Sequence, residues 1–252
     1  MTSSSGKGTR STHRKRDICL LAVGGVLLIL AIAIVLYSLD YYHATQAALD
    51  LVASPGVLNV DGGWAVGDPE SRTGFIFYPG GKVEAKAYLS LLKRISNEGV
   101  FCVLCEMPLN LAVLDINAAG RRMKQFPGIK SWFIGGHSLG GSMAAQYATS
   151  HPEEVSGLVL LAAYSPSKIP NRMPALLLYG SEDEVMNRYE YAQALSLLSD
   201  YTEVVIPGGN HAGFGEYGAQ AGDGQATIAS EVQQTKTAIE VISFMKRINS
   251  EF

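Results

Sequence analysis

Four groups able to do chemistry lie far apart in the chain. Gly136-His137-Ser138-Leu139-Gly140 has the Gly-x-Ser-x-Gly spacing. Apolar Trp132-Phe133-Ile134 precedes it, and a small-residue segment through Ala144, Ala145 and Ala148 follows. A serine on so sharp a strand-to-helix turn is pushed out of the sheet into a strained backbone conformation. Glycines two residues to either side are required, because a Cβ there would meet the neighbouring strand and helix. The five letters recur by chance; the strand before and the helix after make the match informative. The chemistry is nucleophilic attack by Ser138. A hydroxyl is a poor nucleophile until a base takes its proton, and histidine is the usual base because it titrates near working pH.

Of the five histidines, His13 lies in the N-terminal tail and His43 just after an apolar segment. His137 is in the turn itself, expected to point away from its neighbour's site, and His151 ends the following helix. His211, in Pro207-Gly208-Gly209-Asn210-His211-Ala212-Gly213, sits in a loop directly after a strand, where parallel sheets keep their sites. An imidazole base needs an acceptor that fixes its tautomer. Tyr179-Gly180-Ser181-Glu182-Asp183-Glu184 offers three carboxylates. Asp183 is the first choice for its short side chain on a tight loop, with Glu182 and Glu184 facing solvent. Asp223 is the reserve, or else a cap for the last helix. Two backbone N–H groups must also face the oxygen that becomes negative. Leu139 supplies one, and Gly81 in Phe77-Tyr78-Pro79-Gly80-Gly81-Lys82 the other, with Lys82 the near alternative.

The elements that position these groups follow from the pattern. Asp61-Gly62-Gly63 joins two short strands, Val57–Val60 and Trp64–Gly67, as a hairpin. Phe75–Tyr78 is a strand, and Tyr88, Leu91, Leu92 and Ile95 line one face of a helix that stops at Gly99. Val100–Cys105 is a strand and the segment from Leu111 to Lys124 a helix. Leu158–Ala162 and Ala175–Tyr179 are apolar without alternation, as strands covered on both faces are. Glu190–Leu198 reads as helix, Glu203–Ile206 as strand, and Ile228, Val232, Ile239 and Ile242 mark a last helix. The fold class is therefore α/β: a mostly parallel central sheet with helices on both faces and an antiparallel hairpin at one edge. Ala163 to Met173 is too short for a helical lid, which predicts an open site walled by the glycine-rich loop Gly213–Gly224.

The chain has 252 residues, 17% charged, with a net charge of -3, which gives no electrostatic case for nucleic acid. Cys102 and Cys105 share a strand and point to opposite faces, so they are structural thiols rather than a bridge or metal pair. Residues 1–17 form a basic, disordered tail with Lys7, Arg10, Arg14, Lys15 and Arg16. Residues 18–39 carry no charge, and about 22 residues of helix span about 33 Å, enough for a bilayer core. Tyr37, Tyr41 and Tyr42 serve as interfacial aromatics. The positive-inside rule puts the N-terminus in the cytoplasm and the rest outside, as a single-pass protein of the cell membrane. A cleavable signal peptide is the rival; its apolar region would be shorter, and Ala44-Thr45-Gln46-Ala47 is a poor cleavage site. Residues 40–55 read as a juxtamembrane connector and 56–252 as one domain.

The order of oxyanion loop, serine, aspartate and histidine, each after its own strand, resembles the α/β-hydrolase superfamily over residues 56–252. Gly-His-Ser-Leu-Gly-Gly at 136–141 is a common turn there. Phe77–Val83, Met107–Ala112, Gly209-Asn210-His211, Phe214–Gly218 and Gly222-Asp223-Gly224 resemble its alpha/beta hydrolase fold-5 group, many of whose members carry an N-terminal membrane segment. The resemblance implies an eight-stranded-type sheet, a triad at Ser138, Asp183 and His211, and no cofactor or metal. The related dienelactone hydrolases use cysteine where this chain has serine, which argues against their substrate. The expected activity is hydrolysis of a small-molecule carboxylic ester or related acyl compound. The alternatives are acyl transfer by the same residues and a catalytically idle binding module. The sequence leaves the oligomeric state open.

Overall fold

Strands that bury side chains on both faces need a layer of helix above and below them. In a computed structural model, which describes residues 8–249, eight strands form one such sheet. They are β1 (Val57–Val60), β2 (Gly63–Val66), β3 (Thr73–Tyr78), β4 (Phe101–Cys105), β5 (Ser131–His137), β6 (Gly157–Leu161), β7 (Ala175–Gly180) and β8 (Tyr201–Ile206). Their order across the sheet is β1-β2-β4-β3-β5-β6-β7-β8. The pairs β1–β2 and β2–β4 are antiparallel and the rest parallel. The hairpin turns at Gly62 with φ 72°, the left-handed geometry that favours glycine.

Seven helices are described: α1 (Gly8–Leu39), α2 (Gln46–Asp50), α3 (Leu89–Ser96), α4 (Ala118–Met123), α5 (Leu139–Ser150), α6 (Arg188–Ala194) and α7 (Ser230–Ile248). On one face Phe75, Phe77, Cys102, Phe133 and Val159 pack with Leu91, Leu92 and Ile95 of α3 and Val241, Phe244 and Met245 of α7. On the other, Ile76, Val103, Cys105, Ile134 and Leu160 pack with Ala118 and Ala119 of α4, Ala144, Ala145 and Ala148 of α5, and Tyr191 of α6. Cys102 and Cys105 are free and buried in these two separate layers. Burial pushes the Cys105 thiol up to about 12, so it stays protonated and inert. No helix lies between β6 and β7, a segment described throughout.

The chain divides into two units, Met1–Asp40 and Tyr41–Phe252. In the first, Arg16–Tyr37 is long and apolar enough to cross a membrane. Helix α1 starts at Gly8, so half of the tail expected to be disordered is helical; residues 1–7 lie outside the described residues. Residues 41–55 are not a connector. They belong to the second unit and strap its surface. The Tyr42 N–H donates to the Lys82 carbonyl at 2.7 Å, and the Glu84 N–H donates back to the Tyr42 carbonyl at 2.9 Å. The Ala44 N–H donates to Glu84 Oε2 at 3.0 Å, and the Thr45 N–H to the Glu216 carbonyl at 2.7 Å. Thr45 caps α2, whose Ala48 is fully buried. Tyr42, read as an interfacial aromatic, instead packs its ring 5.6 Å from that of Tyr217.

The helix expected from Leu111 to Lys124 is also different. Leu109 and Asn110 take left-handed backbone angles (φ 54° and 56°) within the short turn Pro108–Asn110, a second 3-10 turn follows at Ala112–Leu114, and only Ala118–Met123 is α-helical. Tyr78 holds this irregular segment by donating its hydroxyl to the Ile116 carbonyl at 2.6 Å and accepting the Ala119 N–H at 2.8 Å. The strap yields a test. Tyr42→Pro removes the N–H given to Lys82, and loss of about 1 kcal/mol should lower the melting temperature by about 2–4 °C in thermal denaturation of the full chain. An unchanged melting point would show that the strap contributes nothing to the body.

Candidate active site

Ser138 sits between β5 and α5 with φ 52° and ψ -124°, a conformation in the unfavourable left-handed half of the map. The surroundings enforce it. A Cβ on Gly136 would stand 2.6 Å from the Tyr78 carbonyl oxygen and 2.7 Å from the Gly140 carbonyl carbon. One on Gly140 would overlap the Pro79 and Tyr78 carbonyls. The Ser138 N–H donates to the Leu161 carbonyl at 2.9 Å, tying the turn to β6. All five non-glycine residues with positive φ among the described residues, Lys82, Leu109, Asn110, Ser138 and Ala162, lie in loops at the carboxyl ends of parallel strands. Strain of this kind gathers where a surrounding structure over-determines a site.

His211 follows β8 and is buried. Its Nδ1 lies 2.9 Å from Asp183 Oδ2, so the ring donates from Nδ1 and leaves Nε2 as the acceptor. Nε2 is buried and has no hydrogen-bond partner in the protein. His211 and Ser138 line one cavity of about 250 Å³, with Leu139, Ser142, Ala162, Tyr164, Val185 and Met186 among its other walls. The glycine-rich loop from Gly213 to Gly224 does not wall this cavity, contrary to expectation. It packs behind His211 and borders a separate hollow with Thr45 and Asn210. The reason is the strap, which holds the loop at Glu216 and through the Ala221 N–H, given to Tyr42 Oη at 3.0 Å.

Of the carboxylates considered, only Asp183 meets the imidazole. Its Oδ1 accepts the Val185 N–H at 3.0 Å and the Met186 N–H at 2.9 Å, which leaves Oδ2 for His211. Burial disfavours its charge, but the hydrogen bond and charge of His211 and the two amides outweigh that and hold the carboxyl below its ordinary value. Glu184 is exposed. Asp223 neither ligates the imidazole nor caps α7. It accepts the His211 N–H at 3.2 Å, the Ala212 N–H at 2.8 Å and the Glu184 N–H at 3.4 Å, bracing the histidine loop against the acid loop.

Gly81 and Leu139 are neighbours: a Cβ on Gly81 would stand 2.9 Å from Leu139 Cδ2 and 3.3 Å from Leu139 Cβ. The Lys82 N–H is given to the Asn110 carbonyl at 2.9 Å, which removes the alternative donor.

Three residues missed in the sequence support the histidine. His137 does not point away; its ring packs 4.5 Å from that of His211. Its Nδ1 lies 2.8 Å from Tyr88 Oη, which also accepts the Gly80 N–H at 3.1 Å. Which of the two donates follows the His137 tautomer. Burial first, then the neighbouring His211, holds His137 well below its ordinary value; the His211 backbone, as an acceptor, opposes this. The third is Gln233 of α7, fully buried, which accepts the Asn210 N–H at 3.0 Å and donates to the Asn210 carbonyl at 2.8 Å. Signals were present. By strand alternation His137 shares a face with Phe133, the α3–α7 side, and Gln233 lies on the buried side of α7 with Thr237 and Val241.

The comparisons with known proteins agree with the fold. Residues 74–235 match the Alpha/beta hydrolase family. A relative named putative non-heme haloperoxidase, from Mycobacterium phage D29, is 30% identical over 112 residues, 40% of this chain and 40% of its own length. Among solved structures, Est1E from Butyrivibrio proteoclasticus with bound ferulic acid aligns at TM-score 0.56 and 14% identity, over 76% of this chain and 98% of its own. A bacterial membrane phospholipase A aligns at TM-score 0.54 and 15% identity, over 92% and 99%. At such identities the structural likenesses show the fold.

Two tests follow from this geometry. Tyr88→Phe leaves the Gly80 N–H and His137 Nδ1 buried without partners, which should cost about 1–3 kcal/mol of stability, read by denaturant unfolding. Asp183 has a lowered pKa in the folded state, so its contribution is present above its ordinary value of 3.8 and fades as the pH falls through the folded value. The melting-point gap between the parent and Asp183→Asn is therefore expected to be full near about pH 6 and to narrow below about pH 4. A gap that widened on acidification would contradict the assignment of charge.

Proposed function

The chain belongs to the alpha/beta hydrolase family, and on that premise we propose that it is a membrane-anchored serine hydrolase cleaving carboxylic esters or related acyl compounds. One observation carries the reading. The buried His211 imidazole has Nδ1 committed to Asp183 and Nε2 unengaged, and it shares a cavity with the strained Ser138.

The steps need only these residues and water. Ser138 Oγ attacks the substrate's carbonyl carbon while His211 Nε2 takes the hydroxyl proton. Asp183 stabilises the imidazolium through Nδ1–H and remains ionised. The carbonyl oxygen, now negative, is received by the N–H groups of Gly81 and Leu139. Collapse expels the alcohol with the proton from Nε2 and leaves an acyl ester on Ser138. Water, deprotonated by Nε2, attacks that ester; the acid departs and Ser138 regains its proton. Catalytic hydrogen bonds commonly tighten only when substrate binds, which accounts for the unengaged Nε2.

Small-molecule esters suit the short β6–β7 connection, which builds no lid. The printed names of the structural neighbours, a ferulic-acid-bound Est1E and a membrane phospholipase A, favour acyl esters as the substrate class. The apolar stretch of α1 and the basic residues before it support an anchor with a cytoplasmic N-terminus and the hydrolase body on the other side. Sequencing the N-terminus of the membrane-extracted protein distinguishes this from a cleaved leader.

The decisive measurement is labelling with a fluorophosphonate probe. The parent should label and Ser138→Ala should not; labelling that persisted in Ser138→Ala would refute the nucleophile. Against a short-chain ester, His211→Ala and Asp183→Asn should each lower kcat by about 10²–10⁴-fold with KM little changed.

A further inference from the structure

The cavity shared by Ser138 and His211 carries no fixed charge: none of the described residues that line it is Asp, Glu, Lys or Arg. Pockets for drug-sized ligands run to about 300–1,000 Å³, so a cavity of about 250 Å³ suits a smaller, uncharged molecule. Arg188, the nearest cation in sequence, is engaged elsewhere. Its guanidinium carbon lies 4.1 Å from the Tyr179 ring centroid, and its Nη2 donates to the Gly180 carbonyl at 3.0 Å. Recognition in this cavity therefore falls to three polar side chains besides the proposed triad members: Ser142, Tyr164 and Asn187.

Asn187 is the one whose direction the fold sets. Its Oδ1 accepts the Tyr189 N–H at 3.0 Å and the Glu190 N–H at 3.1 Å. The amide cannot be reversed, because its NH2 would then face two N–H donors. The amides at the start of α6 are thus taken, and the donor on offer is the side chain. Nδ2 gives neither hydrogen to any described residue. Ser142 differs: its Oγ donates to the Tyr164 carbonyl at 2.8 Å and is left to accept. Asn187 lies four residues past Asp183, whose Oδ1 holds the Val185 and Met186 amides. The turn that orients the imidazole also sets Asn187 at the cavity wall. Holding the amide in one direction removes part of the entropy cost of binding.

We propose that Asn187 selects the substrate: Nδ2 donates to an uncharged oxygen acceptor, an ether, carbonyl or hydroxyl, carried by the ester in the part seated beside the acid loop. The substrate class is then a short, uncharged, oxygen-bearing ester rather than a plain alkyl ester. This rests on the serine-hydrolase reading and deepens it. Because Asn187 is exposed, the substrate's acceptor exchanges with water there, and the gain is that of an ordinary neutral hydrogen bond.

The test uses pairs of esters in which an ether oxygen replaces one methylene. On the acyl side these are p-nitrophenyl methoxyacetate against butyrate, and p-nitrophenyl methoxypropanoate against pentanoate. On the alcohol side the pair is methoxyethyl acetate against butyl acetate. The ratio of kcat/KM within each pair is read for the full chain, Asn187→Ser and Asn187→Asp. Serine and aspartate both cap helices, so α6 keeps its start while the donor at Nδ2 is lost. In at least one pair the ratio of ether ester to alkyl ester should fall about three- to tenfold in Asn187→Ser. It should fall further in Asn187→Asp, whose carboxylate opposes an acceptor. The comparison cancels the intrinsic reactivity of each ester and the fraction of folded enzyme, so a residue that only caps α6 would leave the ratio unmoved. Ratios equal to the parent's in all three pairs overturn the proposal and leave the hydrolase reading intact. A fall in Asn187→Asp alone also overturns it, since that marks the new charge and not the lost donor. If the parent neither labels at Ser138 nor cleaves any of these esters, the hydrolase reading fails and the selection by Asn187 fails with it.

Discussion

The structure depends on one steric constraint: the backbone at Ser138 is held where a side-chain-bearing residue is unwilling to go. The angles at that position cost about 1–3 kcal/mol in isolation. They persist because Gly136 and Gly140 let β5 and α5 close to within van der Waals contact of the Tyr78–Pro79 carbonyls. The helix cannot start elsewhere and the strand cannot continue. The serine therefore stands at the carboxyl edge of the sheet, where the loops after β3, β6, β7 and β8 come close to it.

What those loops bring is kept in place by side-chain hydrogen bonds to the loop backbone. Asp223 collects the amides of His211 and Ala212, Gln233 takes both backbone groups of Asn210, and Asp183 is oriented by the amides of Val185 and Met186. A second line of contacts runs from the Gly80 N–H through Tyr88 to His137, whose neutral ring backs that of His211. Most of these polar groups find their partner outside their own loop, so the loss of one leaves another without compensation for its desolvation. The loop after β3 and the histidine loop are consequently parts of one network. The strap at residues 42–45 closes it from outside by binding Lys82, Glu84 and Glu216.

Much of the fold was legible beforehand. Unalternating apolar runs marked the strands buried on both faces, Asp61-Gly62 marked the hairpin, and the short span between β6 and β7 excluded a helical lid. Other parts were misread for identifiable reasons. The pattern from Leu111 to Lys124 has helical spacing, but Tyr78, over 30 residues away, pins the backbone into turns. Residues 40–55 looked like a linker because their partners at 82–84 and 216 are invisible to any local window. His137 was dismissed as the neighbour of the serine, although strand alternation already put it on the α3–α7 face.

The sequence by itself determined the order of elements, the turn that carries Ser138, and the residues Asp183 and His211 as occupants of consecutive strand-end loops. These are properties of single segments: hydrophobic period, glycine spacing and turn chemistry act within a few residues. The tertiary structure alone decided which carboxylate meets the imidazole, which of Gly81 and Lys82 keeps its N–H, that Asp223 braces a loop, and that His137 packs behind His211. Those outcomes turn on register and on which loops the strand order brings side by side. Hydrogen-bond reach is about 3 Å, and no pattern in one segment specifies a distance to another that finely.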